Sequence, residues 1–498
     1  MFGGLTKTSS RIAIAAALGL TLGGFAFKAT PAKAADLGGD CCADLEERVA
    51  ELEATTVRKG NKKVSVTLSG WVVKSMNWWS DEDSSSFAVG DKDYDLASRF
   101  AITGSATISP GWTAGFNMTV TAAGQTFGLF SNQDNEYNGA NSNIYGNTSG
   151  VINTLYSYIF IKSDHWGALN WGLLSPASDN PAVLADISGT VIESNFVFFE
   201  GSGFFLSENG NKFNQNTVNF TACNSLNATG TDCFGLAQPA VRYDSPTWGG
   251  FRFETSYGTY NTLQGLVDAN TFDYPFGTGF GFGLPQTSES HFWDFAGFYT
   301  ADWNSIKISL AGAYTWMESN PINGAEEDYW QVGGTIMHKP SGLGVYATGA
   351  WEMVDSATSC GQGCLNNLGL FTTANPSDTD MWGVKPFWRK AWSPIGATVL
   401  YGEFGQYNDF FGRGNTLGAA ATTNFCLNGS GFCTFTGSEV ERWGLGVVQE
   451  IDSAAMHVWL RWQHQEVDAD VLDLVTGDRG GTDFNDWDLI QAGGIIFF

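Results

Sequence analysis

Charge is scarce in this 498-residue chain. Only 15% of residues are charged, and 25 basic side chains face 51 acidic ones, for a formal net charge of −26. Affinity for nucleic-acid phosphate runs on clustered Lys and Arg, so nucleic acid is excluded as a partner. Histidine is rarer still. His165, His291, His338, His457 and His464 are scattered, and neither a nucleophile elbow, a metalloprotease helix nor a P-loop occurs. An enzyme is therefore not expected, and neither a cofactor nor a metal is called for. Thirteen prolines are too few for a collagen-like fibre. Beyond residue 34 no apolar run approaches the roughly 18 residues that a membrane-spanning helix needs. Aromatic residues are plentiful by contrast (37 Phe, 19 Trp, 15 Tyr), which excludes wholesale disorder.

Residues 1–34 read as an export signal: Lys7 and Arg11 in a basic start, an apolar stretch from Ile12 to Phe27, and Ala32-Lys33-Ala34 as a small-x-small cleavage site. Cleavage there removes Lys7, Arg11, Lys28 and Lys33 and no acid, leaving 21 basic against 51 acidic residues, a net −30. Six of the eight cysteines fall in close pairs within polar, loop-like segments: Cys223 with Cys233, Cys360 with Cys364, and Cys426 with Cys433. In an oxidising compartment these are expected to close three loop disulfides. Adjacent Cys41 and Cys42 suit linkage between subunits or a free thiol.

A periplasmic N-terminal segment is expected over 35–61. Within it, Leu45, Val49, Leu52 and Thr56 place a 4-3-4 seam on residues 43–58. This predicts a short helix, either lying on the body of the protein or joining partner chains in a coiled coil.

From residue 62 to 498 the period becomes two. Met456, Val458, Leu460 and Trp462 alternate with His457, Trp459, Arg461 and Gln463, which is the pattern of a strand with one apolar and one polar face. Seven tight turns, at 109–112, 164–167, 245–248, 301–304, 339–342, 392–395 and 452–454, interleave with eight long polar stretches, at about 80–95, 124–152, 176–239, 259–290, 318–327, 353–378, 408–438 and 468–485. Five of the turns carry a Trp. The count gives an all-β fold: a 16-stranded antiparallel transmembrane β-barrel with short turns and an aromatic girdle at one rim, and long loops at the other.

Several patches are similar in sequence to the alphaproteobacterial general porins of the Brucella and rhizobial type: Leu68-Ser69-Gly70-Trp71-Val72-Val73, Ser98-Arg99-Phe100-Ala101-Ile102 and, most specifically, the run from Val241 to Phe251. The resemblance implies a trimeric barrel in the outer membrane of a Gram-negative cell, in contact with lipid and lipopolysaccharide. It also implies an inward-folded third loop, placed at about 176–204. The acids of that segment, Asp179, Asp186, Glu193 and Glu200, are expected at a pore constriction. By alternation, Arg99, Arg242, Arg252, Lys385, Arg389, Arg442, His457 and Arg461 lie on polar faces, and the seven Arg and Lys are expected to form a basic lumen wall opposite the acids. The function that follows is passive diffusion of small hydrophilic solutes and ions. Two alternatives are a substrate-specific channel, for a sugar for instance, and a barrel that partly tethers the envelope through cell-wall contact of its N-terminal helix. Acids in the outer loops offer ligands for Ca²⁺ or Mg²⁺ bridging lipid phosphates, but loop carboxylates are more often simply solvated.

Overall fold

The structure is a computed structural model describing residues 63–92, 96–123, 151–196, 205–208, 211–216, 237–260, 290–320, 325–355, 378–409, 433–473 and 476–498. The export signal, the segment 35–61 with its helix, Glu200, and Cys41, Cys42, Cys223, Cys233, Cys360, Cys364 and Cys426 lie outside these residues. Cys433 opens a strand.

Each tight turn joins two long strands; Gly, Asn or Pro at six of the seven corners lets the chain reverse within a few residues, and at the seventh, 452–455, Ala455 takes the left-handed position at φ 44°. After β1 (Ser65–Ser80) and the short β2 (Ser85–Gly90), the first such hairpin is β3 (Ser98–Ser109) with β4 (Trp112–Ala123). Its Gly111 adopts φ 77°, a left-handed corner that residues with a side chain resist. β5 (Val151–Ser163) and β6 (Gly167–Leu174) form the second. A one-turn helix, α1 (Pro181–Leu184), and the small hairpin β7 (Phe205–Glu208) with β8 (Asn211–Asn216) follow. Five further tight hairpins complete the chain's pairs: β9 (Gln238–Asp244) with β10 (Phe251–Tyr260), β11 (Ser290–Trp303) with β12 (Ile306–Asn320), β13 (Ala325–His338) with β14 (Leu343–Asp355), β15 (Thr379–Ser393) with β16 (Gly396–Asn408), and β17 (Cys433–Ile451) with β18 (Met456–Asp473). Last come β19 (Arg479–Asp483), paired only to β18, and β20 (Trp487–Phe497).

All pairings are antiparallel, and β20 closes on β1 from Trp71 opposite Phe497 to Ser80 opposite Asp488. Setting aside β2, β7, β8 and β19, sixteen strands complete the circuit, as the turn rhythm predicts. Both the start of β1 and the end of β20 stand at the tight-turn rim. β1 changes partner part-way: its first half pairs with β3 and its second half with β2. Lys74, in that second half, points outward beside Asp91.

The burial pattern is inverted relative to a water-soluble protein. On β18, His457, Trp459, Arg461 and Gln463 are buried, while Leu460 on the alternate face is 51% exposed. Leu310, Val332, Ile336, Leu400 and Leu445 are likewise outward and exposed. Water would disfavour such a surface, so the outer face is matched to hydrocarbon and the inner face to water. Tryptophan marks both limits of the apolar band. At the tight turns stand Trp112, Trp166, Trp248, Trp303 and Trp392, all exposed. Towards the opposite rim a second row runs through Trp293, Trp330, Trp351 and Trp382, which sequence reading missed because it sits within strands. Trp293 to Trp303 on β11 and Trp382 to Trp392 on β15 are each ten positions apart. Ten residues at about 3.3 Å each, tilted by about 40°, give roughly 25 Å, the height of an outer-membrane apolar band.

Candidate functional site

Between β6 and β9 the chain does not reverse directly. Residues 175–196 run along the inward faces of the barrel strands and are mostly buried. Inward-facing polar side chains reach the loop's backbone, whose own amides and carbonyls have no sheet partner and must find one when buried.

The attachment proceeds strand by strand. On β9, Arg242 Nη1 donates to Ser175 O (2.6 Å). The hydroxyl of Ser256 on β10 accepts from Ala177 N (2.8 Å), and Asp294 on β11 accepts from both the amide and the hydroxyl of Ser178 (2.8 Å each). Gln331 on β13 does both jobs, donating to Ser178 O (2.7 Å) and accepting from Ala182 N (3.1 Å). Next along β13, Thr335 donates to Ala185 O (2.7 Å), and Tyr346 on β14 donates to Ala182 O (2.9 Å). Lys385 on β15 meets Asp186 at 2.7 Å and donates to Ser194 O at 2.6 Å. Tyr407 on β16 donates to Phe196 O (2.6 Å), Arg442 on β17 to Asn195 O (3.1 Å), and Arg461 on β18 to Glu193 O (2.8 Å). Ser194 also donates its hydroxyl to Glu403.

Glycines give this segment its seat. A Cβ on Gly333 would lie 2.3 Å from Ala182 O, and Cβ atoms on Gly383 and Gly405, opposite one another on β15 and β16, would lie 2.4 and 2.7 Å from the Phe196 ring. No side chain larger than hydrogen fits at these three places without displacing the loop.

The expected site residues are placed as follows. Asp186 pairs with Lys385, and Glu193 Oε1 lies 3.5 Å from His457 Nδ1. Asp179 accepts from Ser175 and Asn180, members of its own segment. Arg242, Lys385, Arg442 and Arg461 bond the loop directly, so these bases line the wall on which the loop rests. Arg389 bonds Glu450 through Nη2 (2.7 and 2.8 Å), where Gly189 of the loop comes close. Arg252 pairs with Glu254 and lies 3.9 Å over the Phe298 ring. Arg99 stands apart on β3, stacked 4.7 Å over Trp71.

Sequence reasoning missed the acids of the wall itself. Asp244 bonds Arg242 through both oxygens, and Glu403 accepts from Arg442 Nη2 at 3.0 Å and Nε at 3.2 Å. A usable signal was there: Arg242 with Asp244 and Arg252 with Glu254 are i, i+2 pairs and must share a strand face. Opposite charges buried at contact distance largely cancel at longer range, so the field around the loop is short-ranged.

A closed barrel with an inverted surface, a polar interior and a loop laid along its inner wall defines a membrane channel. The sequence matches the Gram-negative porin family over residues 13–451, and the chain belongs to that family. It is a passive channel of the Gram-negative outer membrane. No curated protein sequence matches it. Among solved structures it is similar to the anion-selective porin from Comamonas acidovorans (14% identity, TM-score 0.49, covering 87% of this chain and 100% of that one). It is also similar to the trimer form of in-vitro folded OmpT of Vibrio cholerae (12%, 0.48, 88% and 100%) and to the outer membrane channel DcaP of Acinetobacter baumannii (11%, 0.41, 88% and 99%).

Proposed function

We propose that this porin is a homotrimer of the alphaproteobacterial general type, and that each barrel passes small hydrophilic solutes and ions down their gradients through an opening narrowed by the loop of about 176–204. The continuous docking of Ser175–Phe196 from β9 to β18 carries this reading, since a loop held by so many strands takes up a fixed share of the lumen. Asp179, Asp186, Glu193 and Glu200 on the loop, with Arg242, Lys385, Arg389, Arg442 and Arg461 beneath it and Arg99 and Arg252 to its sides, set the field that a solute meets. The subfamily rests on the patches around Leu68, Ser98 and Val241; export is assigned to residues 1–34, trimer or cell-wall contact to 43–58, and disulfide closure of the outer loops to the three cysteine pairs. A sugar-specific channel calls for accessible aromatic rings, whereas Tyr346 and Tyr407 are buried and committed to loop carbonyls.

Purified protein in planar bilayers tests the proposal: large, stable, ohmic steps arriving in threes are expected, and a variant lacking 177–195 should give larger ones. Protein that inserts without conducting refutes the channel. Equal steps from the two forms refute the constriction.

A further inference from the structure

Outside the lumen, one cluster of side chains is unused by diffusion. His464 and Glu466 share the outward face of β18, Asp488 lies directly across from His464 on β20, and Asp486 immediately precedes that strand. Cross-strand partners have Cβ atoms about 5 Å apart, so the register itself brings these four together. Asp488 Oδ1 accepts from the Trp462 indole at 2.8 Å and lies 3.0 Å from His464 Nδ1. A carboxylate held this way keeps the imidazole proton on Nδ1 and turns the Nε2 lone pair the other way. There Nε2 faces Glu466 Oε1 at 3.5 Å and Asp486 Oδ2 at 3.7 Å. Both distances are too long for hydrogen bonds. They are close to the roughly 3.4 Å that separates two ligands each about 2.1 Å from a tetrahedral zinc ion.

The surroundings favour a cation. Glu441 lies opposite Glu466 and Glu439 opposite Asp468, like charges placed face to face on the outward surface. Such pairs are mutually destabilising. Among the described residues, no Lys or Arg stands on the outward faces of β17, β18 or β20 to relieve them. The Trp443 ring, 4.6 Å from the imidazole, covers one side.

We propose that His464, Glu466 and Asp486 form a site for one borderline divalent metal ion of the zinc class, with Asp488 as the positioning residue behind the imidazole. One imidazole nitrogen and two carboxylates suit zinc better than Ca²⁺ or Mg²⁺, which prefer oxygen ligands alone.

The test is zinc titration of full-length, untagged, thiol-alkylated protein in detergent, with heat-modifiable gel mobility confirming a folded barrel in each variant. The expected result is one zinc per chain, retained against excess Ca²⁺ and Mg²⁺. His464→Gln and Glu466→Gln should each weaken binding by about a hundredfold and Asp488→Asn by about tenfold. Cobalt should give tetrahedral visible absorption bands in the parent protein and lose them in His464→Gln. Binding unchanged in the folded His464→Gln variant, or zinc displaced by equimolar Ca²⁺, would leave only a diffuse acidic surface and overturn the proposal.

Discussion

The inner wall has two arcs of different chemistry. From β9 to β18 it carries Arg242, Arg252, Lys385, Arg389, Arg442 and Arg461 with Asp244, Glu254, Asp294, Glu403 and Glu450, and the loop is bonded to it. From β1 through β5 the buried positions among the described residues are mostly uncharged, such as Ser75, Asn77, Asn117, Thr119, Tyr156 and Tyr158, with Arg99 on β3 and Asp91 and Lys92 just before that strand carrying charge. The charge-rich arc is where charge is already answered by charge. The lesson is that counting lumen residues by sign predicts selectivity poorly, because the field of a close ion pair falls off at short range.

The difference can be broken most severely at the loop's seat. Gly333→Leu should push Ala182 off β13 and raise single-channel conductance roughly twofold or make it fluctuate, since the narrowest ring governs current. Bilayer recordings decide this, and a conductance equal to the parent's would mean that the loop yields without leaving the wall. A more selective break is Lys385→Met, which strips Asp186 and Ser194 O of their buried partner. Removing one member of a buried ion pair costs about 3–5 kcal/mol, visible as open-channel noise and a lower unfolding temperature in detergent. Adding Asp186→Asn to Lys385→Met should recover much of that loss, and no recovery would show that the ion pair is not what holds the loop. On the charge-poor arc, Arg99→Gln should shift the reversal potential in a salt gradient toward cations, whereas Arg389→Gln with Glu450→Gln, removing both partners, should shift it less. Equal shifts would erase the distinction between the arcs. The smallest effect belongs to the girdle: Trp392→Ala removes one side of the Trp388–Trp392 ring contact and should lower barrel stability by about 1 kcal/mol, read by heat-modifiable mobility.

The barrel was readable from sequence because lipid and water enforce alternation wherever a strand crosses the bilayer. Outside it that pressure ends. The stretch 318–327 reads as a long loop, yet β12 continues to Asn320 and β13 begins at Ala325; the strands carry on in polar residues such as Glu318, Glu326 and Asp328. The same reason hides β2 and β19, and the extension of β18 through Asp468 and Asp470. For the site, alternation assigns each basic residue a face of its strand. What it leaves undetermined is the partner of each side chain. That depends on cross-strand register and on the path of a loop whose backbone bonds, such as Tyr346 with Ala182 or Arg461 with Glu193, join residues well over a hundred positions apart.

The ten-position interval between tryptophan rows on β11 and β15 acts as a ruler for the bilayer. A hydrocarbon slab thicker than that interval would force lipids to compress around the barrel or drag polar rim residues into the acyl chains, each at a cost that grows with every ångström of mismatch. Vesicles made from short-chain lipids should therefore take up the protein faster than long-chain ones, and the same ruler helps explain how a barrel settles in the thinner of a Gram-negative cell's two membranes.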